Sequence, residues 1–186
     1  MSSLRLGRGR YGLMLREDGR IFDDGVVFRI GENRFHLSCT TGGASAVFQH
    51  IEHALQVLWP DLEVYVTPVT EEWFAVAVSG PLARDLLANL LPDLDATNAA
   101  LPLMGMVETT LFNRRLRVMR ISYSGELSYE INISADWGAA LWQTLCELSS
   151  KLGMIAYGTE AMGALRIEKG HITHAEADGR TIPDDV

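Results

Sequence analysis

Hydrophobic positions along this chain alternate between two periods. From 44 to 58 they recur at helical spacing: Val47, Phe48, Ile51, Leu55 and Leu58 form one stripe, with Gln49, Glu52, His53 and Gln56 elsewhere. Trp59-Pro60-Asp61 stops that helix. Gly80-Pro81 opens a second over 81–91, with Leu82, Leu86 and Leu90 on its apolar face. A third spans 136–151, with Trp137, Leu141, Leu145 and Leu148 as its stripe and Gly153 beyond its end. A fourth, over 159–169, is read from its caps: Thr159 is placed to accept a first-turn amide, and Gly170 ends it. Met162, Leu165 and Ala161 are expected to face inward.

Between these segments the period falls to two or the run is short and apolar. Strands are expected over 11–16, 26–30, 35–40, 62–68, 73–79, 108–112, 115–121 and 154–157. The near-continuous apolar run 73–79 reads as a central strand. Turns are expected at Asp18-Gly19, at Asp23-Asp24-Gly25, at Asn33-Arg34 and at Asn113-Arg114. The passage from Pro92 to Pro102 reads as loop, and 171–186 as a polar tail. Antiparallel hairpins interrupted by helices make the fold class α+β, an antiparallel sheet with packed helices.

The chain is organised around Ile121–Ile133, ISYSGELSYEINI, alternating strand broken once by Ser124-Gly125. Beyond the break, Leu127, Tyr129, Ile131 and Ile133 share one face, and Ser128, Glu130 and Asn132 the other. On this pattern Glu130 is either a solvent-facing carboxylate on a half-exposed strand or a hydrogen-bond anchor for a flat heterocycle.

Composition narrows the function classes. The 186 residues suit one domain, and 47% hydrophobic content supplies a real core. A formal charge of −8 argues against nucleic acid as partner, because such binding relies on phosphate neutralisation by Lys and Arg. No apolar run reaches the about 20 residues of a membrane helix, and no charged n-region followed by an apolar h-region opens the chain, so a signal peptide is not expected. Cys39 and Cys146 form no CxxC and read as buried free thiols, which points to the cytoplasm.

Other candidate chemistry is weaker. Gly7–Gly12 matches GxGxxG, but a turn signal rather than a helix follows it, so it reads as an entry loop. In Asp23-Asp24, one carboxylate can be poised as a base or both can serve turn chemistry. His50 and His53, and separately His171, His174, Glu176 and Asp178, carry metal-ligand residue types. Solvated surface is the alternative for both groups. Arg114, Arg115, Arg117 and Arg120 read as a solvated strand edge or an anion site.

Three segments together, GRGRYGLMLREDGRIFDDGVVFRI, ISYSGELSYEINI and AYGTEAMGALRIEKG, resemble the glycine-cleavage T-protein (aminomethyltransferase) family. Within it they resemble the folate-binding domain at the C-terminal end of the α subunit of heterotetrameric sarcosine oxidase. The resemblance implies a folate-binding domain over 1–170 and a tail over 171–186. It implies tetrahydrofolate as cofactor and capture of a one-carbon unit from a small amine-derived donor as methylenetetrahydrofolate. It implies that Asp24 lies near folate N10 and helps it act as nucleophile. Glu130, seven residues after Tyr123 in the Y-[ST]-G-E motif, would anchor the pterin edge, and Tyr123 would form an aromatic wall. A carboxylate suits that anchor because it accepts two parallel N–H bonds. Met162 stands where T-proteins carry an Arg, which favours the sarcosine oxidase branch.

The resemblance also sets further expectations. Sarcosine oxidase FAD and NAD sites are expected to be missing from this stretch. So are a segment preceding the GRGRYG region and a small barrel following the folate domain. Apolar surface that those parts cover is expected to be exposed, favouring a homodimer or a complex with other oxidase subunits. A catalytically inactive relative, acting as a folate-binding or subunit-interaction module, is the alternative.

Overall fold

In the computed structural model, residues 3–173 and 176 are described. Seven strands form two antiparallel sheets among them. The first sheet has the order β1 (Gly9–Leu15), β2 (Ile21–Gly31), β3 (Arg34–Cys39). The second has the order β4 (Trp73–Ser79), β7 (Ser128–Ser134), β6 (Arg114–Met119), β5 (Met106–Leu111). Four α-helices are described: α1 (Ala44–His53), α2 (Ala83–Leu90), α3 (Gly138–Lys151) and α4 (Thr159–Lys169). The fold is α+β.

The core lies between one face of the four-stranded sheet and the pair α2 and α3. Tyr129, Ile131 and Ile133 of β7 and Leu116 and Val118 of β6 are buried there against Leu86, Leu87, Leu141 and Leu145. Leu82 caps α2 from outside and is 40% exposed, so the apolar face of that helix runs through Leu86, Leu87 and Leu90 instead. The 92–102 passage has no regular structure, yet it returns Leu91, Ala96 and Leu101 to this core.

Several expected strands have a different outcome, for one reason: alternation in sequence does not supply a hydrogen-bonding neighbour. Residues 62–68 form no strand, and Tyr65 stands 95% exposed. Residues 154–157 also run as coil, with Ile155 at 84% exposure. The half of the organising stretch before Ser128 is a loop, in which Gly125 adopts φ +90° and Ser122 Oγ accepts from its amide at 2.9 Å. β4 is an edge strand, paired with β7 alone. Its continuous apolar run reflects small alanines on one face and Phe74, Val76 and Val78 on the core face.

The opposite correction applies to Asp23-Asp24-Gly25, which lies within β2 rather than in a turn. Gly25 allows this, because a Cβ there would come 1.8 Å from Ser38 O on β3. The arginines of β6 are not on an edge either, since β6 lies between β7 and β5. Gly9 and Gly12 sit inside β1, where the Gly9 backbone packs against the Phe28 ring.

At the helix ends, α1 passes into a π turn over Ala54–Leu58, closed by Trp59 N–H donating to Ala54 O at 2.8 Å. Gly158, not Thr159, is the N-cap of α4, and no side chain caps it. Ala161 is exposed, while Met162 and Leu165 are half-buried. Gly170 ends α4 in the left-handed conformation, φ 80°.

The two sheets meet at one corner through the backbone. Gly7 N–H donates to Arg29 O at 2.8 Å, Met106 N–H donates to Gly7 O at 2.8 Å, and Gly9 N–H donates to Met104 O at 2.7 Å. Among the described residues no helix is long and apolar enough to cross a membrane.

Candidate functional site

Antiparallel register assigns each polar side chain to a face, since directly paired residues point the same way. In the first sheet, Leu13 pairs with Asp24, Tyr11 with Val26, Phe28 with His36 and Val26 with Ser38. Asp24, Tyr11 and His36 therefore share one face. In the second sheet, Glu130 pairs with Ala77 and Met119, and Asn132 with Ala75 and Arg117. Glu130, Asn132 and Arg117 share the face opposite the core. Arg117 Nη1 lies 3.3 Å from His36 Nδ1. These are thus the two faces turned toward each other, with Asp24 on one and Glu130 on the other.

On the Asp24 side, Tyr11 O–H donates to Asp24 Oδ2 at 2.8 Å. The Tyr11 phenol is pushed up to about 12, first by burial and then by its bond to Asp24. The His171 ring meets Tyr11 edge-on at 5.8 Å and Tyr123 edge-on at 5.3 Å. The left-handed turn at Gly170 brings His171 there, with its amide donating to Arg166 O at 2.8 Å. Asp24 and Tyr123 are thereby joined through Tyr11 and His171. Tyr123 is 40% exposed.

The neighbouring Asp23 has a structural task. It is 2% exposed, and its Oδ1 accepts from Asp24 N–H at 2.7 Å and Thr40 N–H at 3.2 Å. Gly43 leaves room for its other oxygen, where a Cβ would approach to 2.1 Å. The adjacent Cys39 thiol is pushed up by burial, then by the Asp23 and Asp24 charges. Cys146 is exposed rather than buried.

On the Glu130 side, both faces of β7 are largely covered, unlike the half-exposed strand read from its pattern. Ser128 and Asn132 are buried and Glu130 is half-buried. Asn132 Nδ2 donates to Glu130 Oε1 at 3.0 Å. Burial raises the Glu130 carboxyl, and the Asn132 bond opposes that rise. Across from it on β4, Ala75 and Ala77 are exposed and leave an open floor. Beside them, Ser79 Oγ and Ser128 Oγ are 2.8 Å apart, and Tyr157 O–H donates to Ser79 Oγ at 3.3 Å.

Arg117 is the junction of the two sheets and not an anion site. It is 3% exposed, its Nε donates to Glu108 Oε1 at 2.8 Å, and it stacks 4.1 Å over the Trp73 ring. Burial and the Arg117 charge push the His36 imidazole down to about 4, while Glu108 opposes them. Arg114 lies over Trp137 at 5.2 Å, and Arg120 donates to Asn98 Oδ1 at 2.8 Å and to Leu101 O at 3.1 Å.

His50 packs on Phe22 at 5.0 Å, and among the described residues no three His, Cys, Asp or Glu side chains converge as a metal site. His174 and Asp178 lie outside the described residues. The sequence names Arg117 only as strand edge or anion site and His171 only as tail or metal ligand, and it does not single out Tyr11, His36 or Asn132 for a site. The Asp18-Gly19 turn carried the signal for Tyr11, since folding the hairpin about it brings Tyr11 diagonal to Asp24.

Across its full length, residues 1–186, the chain matches the family model for the GCVT N-terminal domain. The chain belongs to that family. This GCVT N-terminal domain is 44% identical over 185 residues to sarcosine oxidase subunit alpha of Rhizobium meliloti, covering 98% of this chain and 19% of that protein. It is 29% identical over 188 residues to the aminomethyltransferase of Chlorobium luteolum, covering 98% of this chain and 49% of that one. Its fold matches the crystal structure of glycine cleavage system aminomethyltransferase T from Bartonella henselae. The TM-score is 0.77 and the identity 27%, over 92% of this chain and 43% of that chain. The domain thus spans about a fifth of the sarcosine oxidase relative and about half of the aminomethyltransferase.

Proposed function

We propose that this GCVT N-terminal domain binds tetrahydrofolate and captures a one-carbon unit from a small amine-derived donor, giving methylenetetrahydrofolate. The observation that carries the reading is the placement of Asp24 and Glu130 on facing surfaces of two tied sheets, with an open floor at Ala75 and Ala77. Glu130 offers a carboxylate beside that floor to the donor edge of a pterin. Tyr123 offers a ring face for stacking. Asp24, oriented by Tyr11, is the carboxylate that would accept a proton at the nitrogen taking up the carbon. When bound, tetrahydrofolate supplies the nucleophilic nitrogen. The relatives named sarcosine oxidase subunit alpha and aminomethyltransferase support the same chemistry.

A second reading, a subunit-interaction module, is supported by the exposed apolar run after α1. Val57, Leu58, Trp59, Leu62 and Val64 are each more than half exposed. In that reading the domain docks on other subunits of an oxidase-like complex or on its own copy.

Calorimetric titration with tetrahydrofolate under anaerobic conditions tests the proposal. Saturable binding to the unaltered chain, lost in Glu130→Gln, is the expected result. Binding unaffected by that change, or none at all, removes the folate reading and leaves the interaction module. Light scattering at high concentration tests the latter, which a strictly monomeric species contradicts.

A further inference from the structure

We propose that Asn132 is the positioning residue of the site: its amide holds one oxygen of Glu130, and the other is thereby turned over the Ala75–Ala77 floor toward the ligand. The inference rests on the folate reading above and deepens it. Asn132 and Glu130 are two residues apart on β7 and so share a face. The bond from Asn132 Nδ2 occupies Oε1 at 3.0 Å. On the β6 side, Glu130 pairs with Met119, which is fully buried and fills that flank. On the β4 side, it pairs with Ala77, which is exposed. Space for the second oxygen therefore lies over β4.

Asn132 is itself held in place. It is 4% exposed, and its cross-strand neighbour on β6 is the buried Arg117, fixed by Glu108, His36 and Trp73. A side chain with so little freedom can impose its geometry on the carboxylate beside it. It also supports the charged form that pterin recognition requires, because a hydrogen bond donated to a carboxylate favours ionisation. The other titratable or charged groups on the two facing surfaces are Arg117 and Arg115 of β6, Glu108 of β5, His36 and Arg34 of β3, Asp24 of β2 and Tyr11 of β1, with His171 against Tyr11 and Tyr123 against His171. β4 contributes none, and beside it stands Tyr157.

Asn132→Leu keeps the side-chain size and removes the donor, and Asn132→Ser keeps a shorter donor. Two readouts are followed in the full chain: the Glu130 titration midpoint by carbon NMR without ligand, and tetrahydrofolate affinity against pH. In Asn132→Leu the midpoint rises. Affinity falls about tenfold at acidic pH, the loss expected for one charge-assisted bond. It recovers only in part as pH climbs past the new midpoint, because the orienting contact is still missing when the carboxylate is charged. Asn132→Ser lies between the two. An unmoved Glu130 midpoint overturns the proposal, and so does full recovery of affinity at high pH, which would show Asn132 acting on charge and not on orientation. Absence of folate binding by the unaltered chain overturns the functional reading instead, and the NMR measurement still decides the role of Asn132. If Asn132→Leu does not fold, Asn132→Ser carries the same two readouts.

Discussion

Arg117 and His36 join the two sheets side chain to side chain, with the guanidinium Nη1 3.3 Å from the imidazole Nδ1. Because Arg117 is also ion-paired to Glu108 and stacked on Trp73, the contact is held from both sides. Arg117→Ala removes the stacking, the ion pair and the inter-sheet bond together. Its loss is expected to destabilise by about 2–4 kcal/mol, less than a fully buried pair because Glu108 is 41% exposed. Chemical denaturation measures it, and Arg117→Met, which keeps the apolar stem, should retain part of the difference.

The same contact makes stability depend on pH. The His36 pKa is lowered from 6.5 to about 4 in the fold, so the unfolded chain takes up the proton first. Stability is fully present above about 6.5 and is lost as pH falls from there to about 4. The loss is on the order of 2 kcal/mol once solvent screening at this half-buried site is allowed for. Comparing thermal unfolding of the unaltered chain and His36→Leu across that window isolates the effect, since the variant lacks the group that titrates.

Glu130→Gln is expected to separate stability from binding. The Glu130 pKa is raised by burial, so its folded form is favoured below the unfolded pKa and disfavoured as pH rises through the folded one. The variant should therefore match the unaltered chain in Tm near pH 4 and equal or exceed it at pH 8. Its folate affinity should fall by roughly thirty- to thousandfold, corresponding to about 2–4 kcal/mol for the lost charge-assisted bond and the misplaced donor. Calorimetry of both properties on one preparation checks the pair.

Asp24→Asn and Tyr11→Phe should act on the transfer step more than on affinity. Each alters the 2.8 Å bond that orients the carboxylate. Any activity is expected to drop more steeply than folate binding, as happens when an interaction matters most in the transition state. Equal losses in rate and affinity would place Asp24 in anchoring instead.

Gly43→Ala is expected to disturb the site from behind. Its Cβ would stand 2.1 Å from Asp23 Oδ2, which forces that carboxylate away from the amides of Asp24 and Thr40. Leaving these groups imperfectly satisfied costs about 1–3 kcal/mol. Denaturant titration reads the loss, and a shifted Asp24 backbone resonance in NMR would locate it.

Much of the fold was legible in the chain because its helices carry local punctuation. Gly153 and Gly170 mark helix ends that the structure keeps, and the stripe of Leu141 and Leu145 is the buried face of α3. Strand neighbours were not legible. The run 73–79 and the run 62–68 both look like strands, and only the first finds a partner. At the proposed site, Asp24 and Glu130 are singled out by the family resemblance of their motifs, whereas the residue pattern alone leaves Glu130 open between a surface carboxylate and an anchor. Their surroundings depend on register between distant segments: Arg117 reaches His36 across 81 positions, and His171 reaches Tyr11 from the far end of α4.

The corner where Gly7 pairs with both Arg29 and Met106, together with the Arg117–His36 contact, fastens the sheets at two places. The span between Glu130 and Asp24 then belongs to the protein and not to whatever lies in it. On the folate reading, such a frame would act as a gauge of ligand length. A folate analogue with one added methylene between the pterin ring and N10 carries every recognition group of the natural compound. On the folate reading it can satisfy either carboxylate in turn but not both at once, so it should bind and yet take up no carbon.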